Sequence, residues 1–324
     1  MNVLSLFDGE SGGQLAFERI GVIFDGANNK YYASEIEQSS INICIKHYPN
    51  TIQLGDITKL DENKLKELPK IDLIIGGSPC TQLSRQGNID GLYGKDSILF
   101  FEYVRIYKWL KENNNKNISM FLENVEMKKI WENEMSYNLG CNPIHVNSKL
   151  VSAQNRPRLY WSNIELKPPK DRNIMFEDIL EDVDTTNYIK YKGLLIDPKI
   201  KEVNYNLIDV VDGEVRVRQA VKKGYIVAEE GDGINLSFPT SKTRRGRVIK
   251  RKTNTLDTGC NVCVYYNGVI RYITTLEAER LQTLPDNYTC GINDKDRRKM
   301  IGNGWTIDII SHFFKQIIKN VINE

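Results

Sequence analysis

Histidine is scarce in this chain: three residues, His47, His145 and His312, among 324. The six cysteines, Cys44, Cys80, Cys141, Cys260, Cys263 and Cys290, are scattered, and Cys260-Asn261-Val262-Cys263 is a lone C-x-x-C. A structural zinc site needs four ligands, and neither a second pair nor a nearby histidine completes this one. No metal site is therefore expected, and in a reducing cytosol the cysteines stay thiols. No apolar run approaches the ~20 residues of a membrane span. The start, Met1-Asn2-Val3-Leu4-Ser5-Leu6-Phe7, lacks a basic leader region and a cleavage signal. It reads as a first buried strand, so an intracellular protein is expected. Internal repeats and low-complexity linkers are missing as well.

What is present is the composition of a globular chain, 40% hydrophobic and 27% charged, long enough for one large domain or two unequal ones. Net charge is only +2 but unevenly spread. Residues 187–252 hold 15 Lys/Arg against 8 Asp/Glu, and the remainder holds 29 against 34. Lys242–Lys252 alone carries seven basic residues and no acid. Such a segment fits a polyanion partner on one face, and equally a solvated lysine-rich surface.

Up to Ile164 the pattern alternates strand and helix. Val3–Phe7, Tyr31–Ser34, Asp72–Ile75 and Ser119–Leu122 read as strands. Gln14–Ile20, Ser39–His47 and Leu99–Lys111 read as helices. This alternation predicts an α/β fold with a mostly parallel sheet. Ligands of such sheets bind beyond the carboxyl ends of the strands. Phe7-Asp8-Gly9, Glu35, Asp56, Pro79-Cys80 and Glu123-Asn124 all fall at such ends. Asp182–Lys252 breaks the pattern with short β-like pieces and glycine turns, which predicts a small, mainly β or irregular second lobe. A helix then resumes over Thr274–Leu284, and Ile307–Val321 has a wide apolar face expected to dock on the first lobe.

The residues at the strand ends suit one chemistry. A thiol at Cys80, a carboxyl at Glu123 and paired arginines at Arg156 and Arg158 fit an enzyme that adds to an electron-poor ring. A lone cysteine is more often a buried structural residue, a strand-end carboxylate can cap a turn, and two strand arginines can be surface ion-pair partners. The combination argues otherwise. Pro79-Cys80, Phe121-Leu122-Glu123-Asn124-Val125 and Gln154-Asn155-Arg156-Pro157-Arg158, behind the opening Phe7-Asp8-Gly9-Glu10-Ser11-Gly12-Gly13, resemble the ordered motifs of the DNA (cytosine-5) methyltransferases. Leu276-Glu277-Ala278-Glu279-Arg280-Leu281-Gln282 and Gly302-Asn303-Gly304-Trp305-Thr306 resemble that family's late motifs. The common opening is F-x-G-x-G-G; Ser11 departs from it, and the Phe-Asp-Gly form is nearer the animal de novo enzymes and similar bacterial and phage enzymes.

The resemblance implies a Rossmann-like domain over 1–182, a target-recognition region over 183–255, and late motifs over 256–324 whose last helix returns to the catalytic domain. It implies the cofactor S-adenosyl-L-methionine, held by Phe7, Gly9, Ser11, Gly12, Glu35, Ile36, Asp56, Ile57, Pro79, Asn303 and Trp305. Glu35 would accept from the ribose hydroxyls and Asp56 from the adenine amino group. Cys80 would be the nucleophile, flanked by Pro79, adding as thiolate to cytosine C6. Glu123, beside Asn124, would supply a proton at N3, which calls for a carboxyl made less acidic by burial. Strand alternation would put Arg156 and Arg158 on one face, one reaching the cytosine O2 and the other bracing Glu123 or a phosphate. Double-stranded DNA is the implied partner of a monomeric enzyme, with the target base flipped out. Ser84, Arg85, Lys242, Arg244, Arg245, Arg247, Lys250 and Arg251 would contact it, the basic run through phosphates.

Two rivals remain at this level. A related transfer-RNA cytosine methyltransferase usually carries a Cys-Phe-Thr tripeptide, which is missing here. A silent DNA-binding homologue would have lost the Pro-Cys, the Glu-Asn-Val or the cofactor glycines, and all three persist. A restriction partner, an orphan enzyme and a phage protective enzyme would share these motifs.

Overall fold

The structure is a computed structural model that describes residues 1–79, 91–94, 97–200, 205–238, 240–243 and 245–323. The chain divides into two compact units: 1–147, 157–169 and 307–324 form the first, and 148–156 with 170–306 the second. Among the described residues, no helix is long and apolar enough to cross a membrane.

The first unit is α/β. Its strands are β1 (Asn2–Leu6), β2 (Lys30–Ser34), β3 (Ile52–Gln53), β4 (Leu73–Gly77), β5 (Ser119–Val125) and β6 (Ile144–Asn147). After β7 (Gln154–Asn155), which belongs to the second unit, comes β8 (Pro157–Ser162). They form one sheet in the order β3-β2-β1-β4-β5-β8-β6. The first five strands run parallel, and β8 is antiparallel to both β5 and β6. Strand order reverses at β1, between β2 and β4, the arrangement that opens a crevice at the carboxyl ends.

Five helices alternate with these strands: α1 (Gly12–Glu18), α2 (Gln38–His47), α3 (Glu62–Lys66), α4 (Leu99–Asn113) and α5 (Lys129–Leu139). The parallel strands are apolar on both faces because helices cover both. Leu4, Leu6, Ile74, Met120 and Leu122 share a core with Phe100, Tyr103, Ile106, Tyr107 and Leu110 of α4. The opposite face is closed by the last helix, Ile307–Asn323, whose Phe314 stacks on Phe17 of α1 at 4.3 Å and meets Phe121 edge-on at 5.3 Å. Each such buried ring contributes roughly 1.5–3 kcal/mol by area. Gly13 is required where α1 crosses the sheet: a Cβ there would sit 2.4 Å from Tyr31 Oη and 2.8 Å from Ile75 Cδ1.

The second unit is mostly β. Its strands are β9 (Ile189–Tyr191), β10 (Leu194–Ile196), β11 (Ile208–Val211), β12 (Glu214–Arg218) and β13 (Tyr225–Ala228). They continue as β14 (Asp232–Asn235), β15 (Arg247–Ile249), β16 (Thr253–Asn254), β17 (Val262–Tyr266) and β18 (Val269–Tyr272). A six-stranded sheet, β15-β14-β17-β18-β10-β9, accompanies a three-stranded β11-β12-β13 and the parallel pair β16-β7. Alternation on β12 buries Val215 and Val217, while Arg216 and Arg218 point away.

This unit also carries helices α6 (Thr275–Leu281) and α7 (Asp294–Asn303), and Ile307–Asn323 is labelled α8. The Leu276–Gln282 motif explains the local fold. Thr274 caps α6 by accepting from Glu277 N–H, while Glu277 accepts from Thr274 N–H at 2.9 Å, a capping box. Buried Glu277 also pairs with Arg271 at 2.6 Å, and buried Glu279 accepts from Asn287 and Thr289 N–H and pairs with Arg297 at 3.0 Å.

Two sequence expectations need correction. The first strand ends at Leu6, not Phe7, because Phe7 takes a left-handed φ of 60°. The segment carrying Arg156 and Arg158 is not one strand: pairing stops at Arg156, between β7 and β8, and the two residues fall in different units.

Candidate active site

The carboxyl edge of the first sheet begins with the turn after β1. Phe7, Gly9 and Ser11 all have positive φ, at 60°, 58° and 62°, so this turn is wound tightly over three left-handed residues, two of them not glycine. Hydrogen bonds hold it: Phe7 and Asp8 N–H donate to Ser34 O, and Ser11 N–H donates to Asp8 O. Glu35, one residue beyond β2, accepts from Gly9 N–H at 2.8 Å through Oε2 and from Ile36 and Glu37 N–H through Oε1. Gly12 opens α1. Ile36 is left 69% exposed, unusual for an isoleucine, whereas Ile57 is buried.

Asp56 follows β3. Its Oδ1 accepts from Thr58 N–H at 2.9 Å and from Thr58 Oγ1 at 2.8 Å, and these bonds hold its carboxyl below the usual range. Beside it lies a cleft of about 480 Å³ lined by Thr58, Tyr93, Ile98, Leu99, Phe101 and Glu102. The apolar start of α4 supplies most of this wall. The sequence marks it by Ile98-Leu99 at the helix start, a signal that helical periodicity alone absorbs into the core.

Asp8 is named by the sequence at a strand end, inside the first motif, but with no role of its own. Its side chain is buried beneath the turn, with Oδ1 accepting from Tyr31 Oη at 2.8 Å. Oδ2 is buried with no hydrogen-bond partner. Burial pushes its carboxyl up to about 6, against hydroxyl contacts from Ser5, Tyr31 and Ser11 that pull it down.

The chemical end of the edge is built by β4, β5 and β8. Cys80, Ser84, Arg85 and Arg244 lie outside the described residues; Pro79, at the end of β4's extension, lies within them. Buried Asn124 donates to Ser78 O at 3.2 Å and Ser78 Oγ at 3.0 Å, which ties the segment leading to Pro79 onto β5. Glu123 sits opposite Gly77 in the parallel register. Across the antiparallel pair, Arg158 Nε donates to Glu123 Oε1 at 2.9 Å, with both side chains nearly buried. Arg158 therefore braces Glu123, one of the alternatives the sequence left open.

Arg156 is placed differently. It is 2% exposed and spends its guanidinium inside the second unit. Nη1 donates to Leu256 O at 3.3 Å, and Nη2 to Gly302 O at 3.0 Å and Gly304 O at 2.9 Å. A helix leaves its last carbonyls without partners, and here an arginine caps them at the end of α7. The expectation that Arg156 shares a face with Arg158 is thus corrected.

Asn303 closes α7 and is exposed, with Trp305 half-buried just beyond it, both in the second unit. Within the basic run, Lys242 and Arg247 are exposed and Arg245 is half-buried. Lys250 pairs with Asp232 at 2.9 Å and Glu229 at 3.2 Å, and Arg251 pairs with Glu177, so both are partly neutralised by their own unit. Lys252 points into three carbonyls, of Ile174, Lys149 and Ser152. Burial pushes the Cys260 thiol up to about 12, and Cys263 is raised as well. Among the described residues no group of three His, Cys, Asp or Glu is disposed to hold a metal.

Comparison with known proteins covers the whole arrangement. The description "C-5 cytosine-specific DNA methylase" matches residues 1–319. The type II methyltransferase M1.ScrFI of Lactococcus lactis subsp. cremoris is 26% identical over 98% of this chain and 78% of its own. The orphan methyltransferase M.SPRI of Bacillus phage SPR is 27% identical over 87% of this chain and 65% of its own. Among solved structures, the Entamoeba histolytica methyltransferase EhMeth superposes with a TM-score of 0.61 at 15% identity, covering 99% of this chain and 98% of the other, a likeness of fold.

Proposed function

The chain belongs to the C-5 cytosine-specific DNA methylase family, and from that membership we propose how its residues divide the work of methylating cytosine C5 in DNA. S-adenosyl-L-methionine, when bound, supplies an electrophilic methyl group on a sulfonium. The residues present fit it. Glu35 and Asp56 offer carboxylates to hydroxyl and amino donors, exposed Ile36 and the apolar cleft at Ile98-Leu99 offer surface to a flat ring, and the strained turn at Phe7–Ser11 lets the backbone approach closely. Gly12, Ile57 and Pro79 shape that cradle, and Asn303 and Trp305 are assigned to it by motif.

Cytosine C5 is too weak a nucleophile to accept a methyl group unaided. The Cys80 thiolate adds to C6, forming a C–S bond and pushing an electron pair toward N3. Glu123 donates a proton there, so that charge does not accumulate on the ring. C5, now enamine-like, would accept the methyl group, the C–S bonding pair of the sulfonium staying with the departing thioether. Loss of the C5 proton to solvent then re-forms the C5–C6 double bond and expels the Cys80 thiolate, and the N3 proton returns to Glu123. Arg158 fixes the Glu123 carboxyl and would reach the ring's O2 side; Asn124 fixes Ser78, the residue before Pro79. Arg156 acts at one remove, by holding the end of α7. Lys242, Arg244, Arg245 and Arg247 supply phosphate contacts, with Ser84 and Arg85 on the segment after Cys80. In this reading the enzyme acts on double-stranded DNA as a monomer, in the cytoplasm of a bacterial or phage-infected cell; the bacterial and bacteriophage sources of its relatives support the setting.

The single observation that carries this reading is the Arg158–Glu123 pair at 2.9 Å, set beside Gly77 on the strand that leads to Cys80. Its test is bisulfite sequencing of DNA from a methylation-free host expressing the protein. Protected cytosines within one short motif are expected. Cys80→Ala is expected to abolish protection while S-adenosyl-L-methionine still binds; normal protection by that variant would sink the mechanism.

A further inference from the structure

The residue that the motif comparison leaves without a task is Asp8. Its backbone is the centre of the cofactor turn: its N–H reaches Ser34, its carbonyl holds Ser11, and the next N–H, of Gly9, reaches Glu35. Its carboxyl lies under that turn, closed to solvent. One oxygen is held by Tyr31 and the other is buried with no hydrogen-bond partner. The ionisable groups acting on it are Glu35 just beyond β2, Tyr31 from β2 and Cys44 from α2, all acids. Burial holds Tyr31 well above 10 and Cys44 at about 11, so both stay neutral at working pH. An ionised carboxyl left in such a place is costly, and what relieves it is either a proton or a nearby positive charge.

S-adenosyl-L-methionine and its product differ in that respect. The cofactor carries a sulfonium, an ammonium and a carboxylate, net one positive charge; the thioether product has lost the sulfonium and is neutral overall. We propose that Asp8 is a positioning residue that senses this charge through the turn: the sulfonium holds it ionised to lower pH than the neutral thioether does. It thereby favours substrate cofactor over spent product. This rests on the cradle being the cofactor site. Asp8 touches neither ligand directly, since its free oxygen is closed off; it acts through the field and through the turn it holds.

The sign follows from linkage. A ligand that prefers ionised Asp8 loses affinity as pH falls through the free protein's value of about 6. If the sulfonium depresses that value by ~1 unit, its affinity falls about fivefold between pH 7.5 and 5. The thioether's affinity stays flat. Isothermal titration calorimetry of the full chain with S-adenosyl-L-methionine and with S-adenosyl-L-homocysteine across this range reads the ratio directly. The wild-type ratio is expected to drop about fivefold on acidification, and that of Asp8→Asn to be flat. Tyr31→Phe removes a donor that favours the ionised form, so its midpoint is expected to move to higher pH. That variant keeps the question open to test if Asp8→Asn does not fold. A merely structural Asp8 would change overall affinity and leave the pH dependence of the ratio alone. An equal slope in Asp8→Asn, or a flat wild-type ratio, overturns the proposal and leaves the cofactor assignment standing. Binding of neither ligand to folded protein overturns both.

Discussion

Replacing Arg156 by methionine separates a structural arginine from a catalytic one. Methionine keeps an unbranched apolar stem and removes every donor. Three carbonyls lose a charged donor, those of Leu256, Gly302 and Gly304. Gly304 O keeps a second bond, from Gln282 Nε2 at 3.1 Å. Leu256 O and Gly302 O are left without this donor in a site too dry for water to replace it. At ~1–3 kcal/mol for each buried unsatisfied group, Arg156→Met is expected to cost about 3–4 kcal/mol. Spread over a unit of this size, at roughly 2–4 °C per kcal/mol, that lowers the melting temperature by about 10 °C. Thermal unfolding followed by circular dichroism, beside Arg158→Met as the control, measures it. The control is expected to melt closer to wild type and to lose methyl transfer. If Arg156→Met melts within a degree or two of wild type and turnover collapses at saturating DNA, the assignment of Arg156 to the end of α7 is wrong.

Three further outcomes are expected. Phe314→Ala, which empties the space between Phe17 and Phe121, should destabilise the protein by roughly 3–5 kcal/mol in denaturant titration. Asp8→Asn should stabilise the ligand-free protein at pH 7.5 by up to about 3 kcal/mol, with the gain fading toward pH 4. The reason is that a carboxyl raised to about 6 on folding stabilises only below the unfolded value and loses that contribution as pH climbs past 6. Arg247→Gln should reduce the salt slope of DNA binding by about one, whereas Lys250→Gln, whose charge is already matched by Asp232 and Glu229, should change it far less in filter-binding titrations.

The parallel sheet was legible because period and punctuation agree: apolar runs of strand length, each followed by glycine or an acid, cannot be satisfied by helices. Glu123 and Arg158 could be named because Phe121–Val125 and Gln154–Arg158 resemble family motifs; the motifs leave open which arginine braces Glu123, and the ion pair identifies Arg158. Arg156 was misplaced because alternation assumes an uninterrupted strand, and nothing local to Gln154–Arg158 signals that pairing breaks there. Its true partners are carbonyls roughly a hundred and more residues away, at Leu256, Gly302 and Gly304. Asp8 was visible as a letter and not as a buried group, because burial of a turn residue depends on what packs beneath it, here Tyr31. The seven-residue basic cluster read as uniform charge; only the three-dimensional pairing of Lys250 and Arg251 with acids distant in sequence divides it.

The order in which the chain is synthesised meets an awkward geometry. The backbone passes from one unit to the other after Asn147, Arg156, Pro169 and Thr306, and the helix carrying Phe313 and Phe314 follows the last of these crossings. While the ribosome is still extending the second unit, the aromatic face formed by Phe17, Phe121 and Tyr160 waits uncovered, with its lid not yet made. A nascent chain in that state exposes the sticky surface that chaperones recognise. Translation stalled or terminated ahead of Ile307 would leave the sheet that carries Glu123 and the Phe7–Ser11 turn permanently open on that side, and the fragment would be expected to aggregate rather than persist as a smaller enzyme.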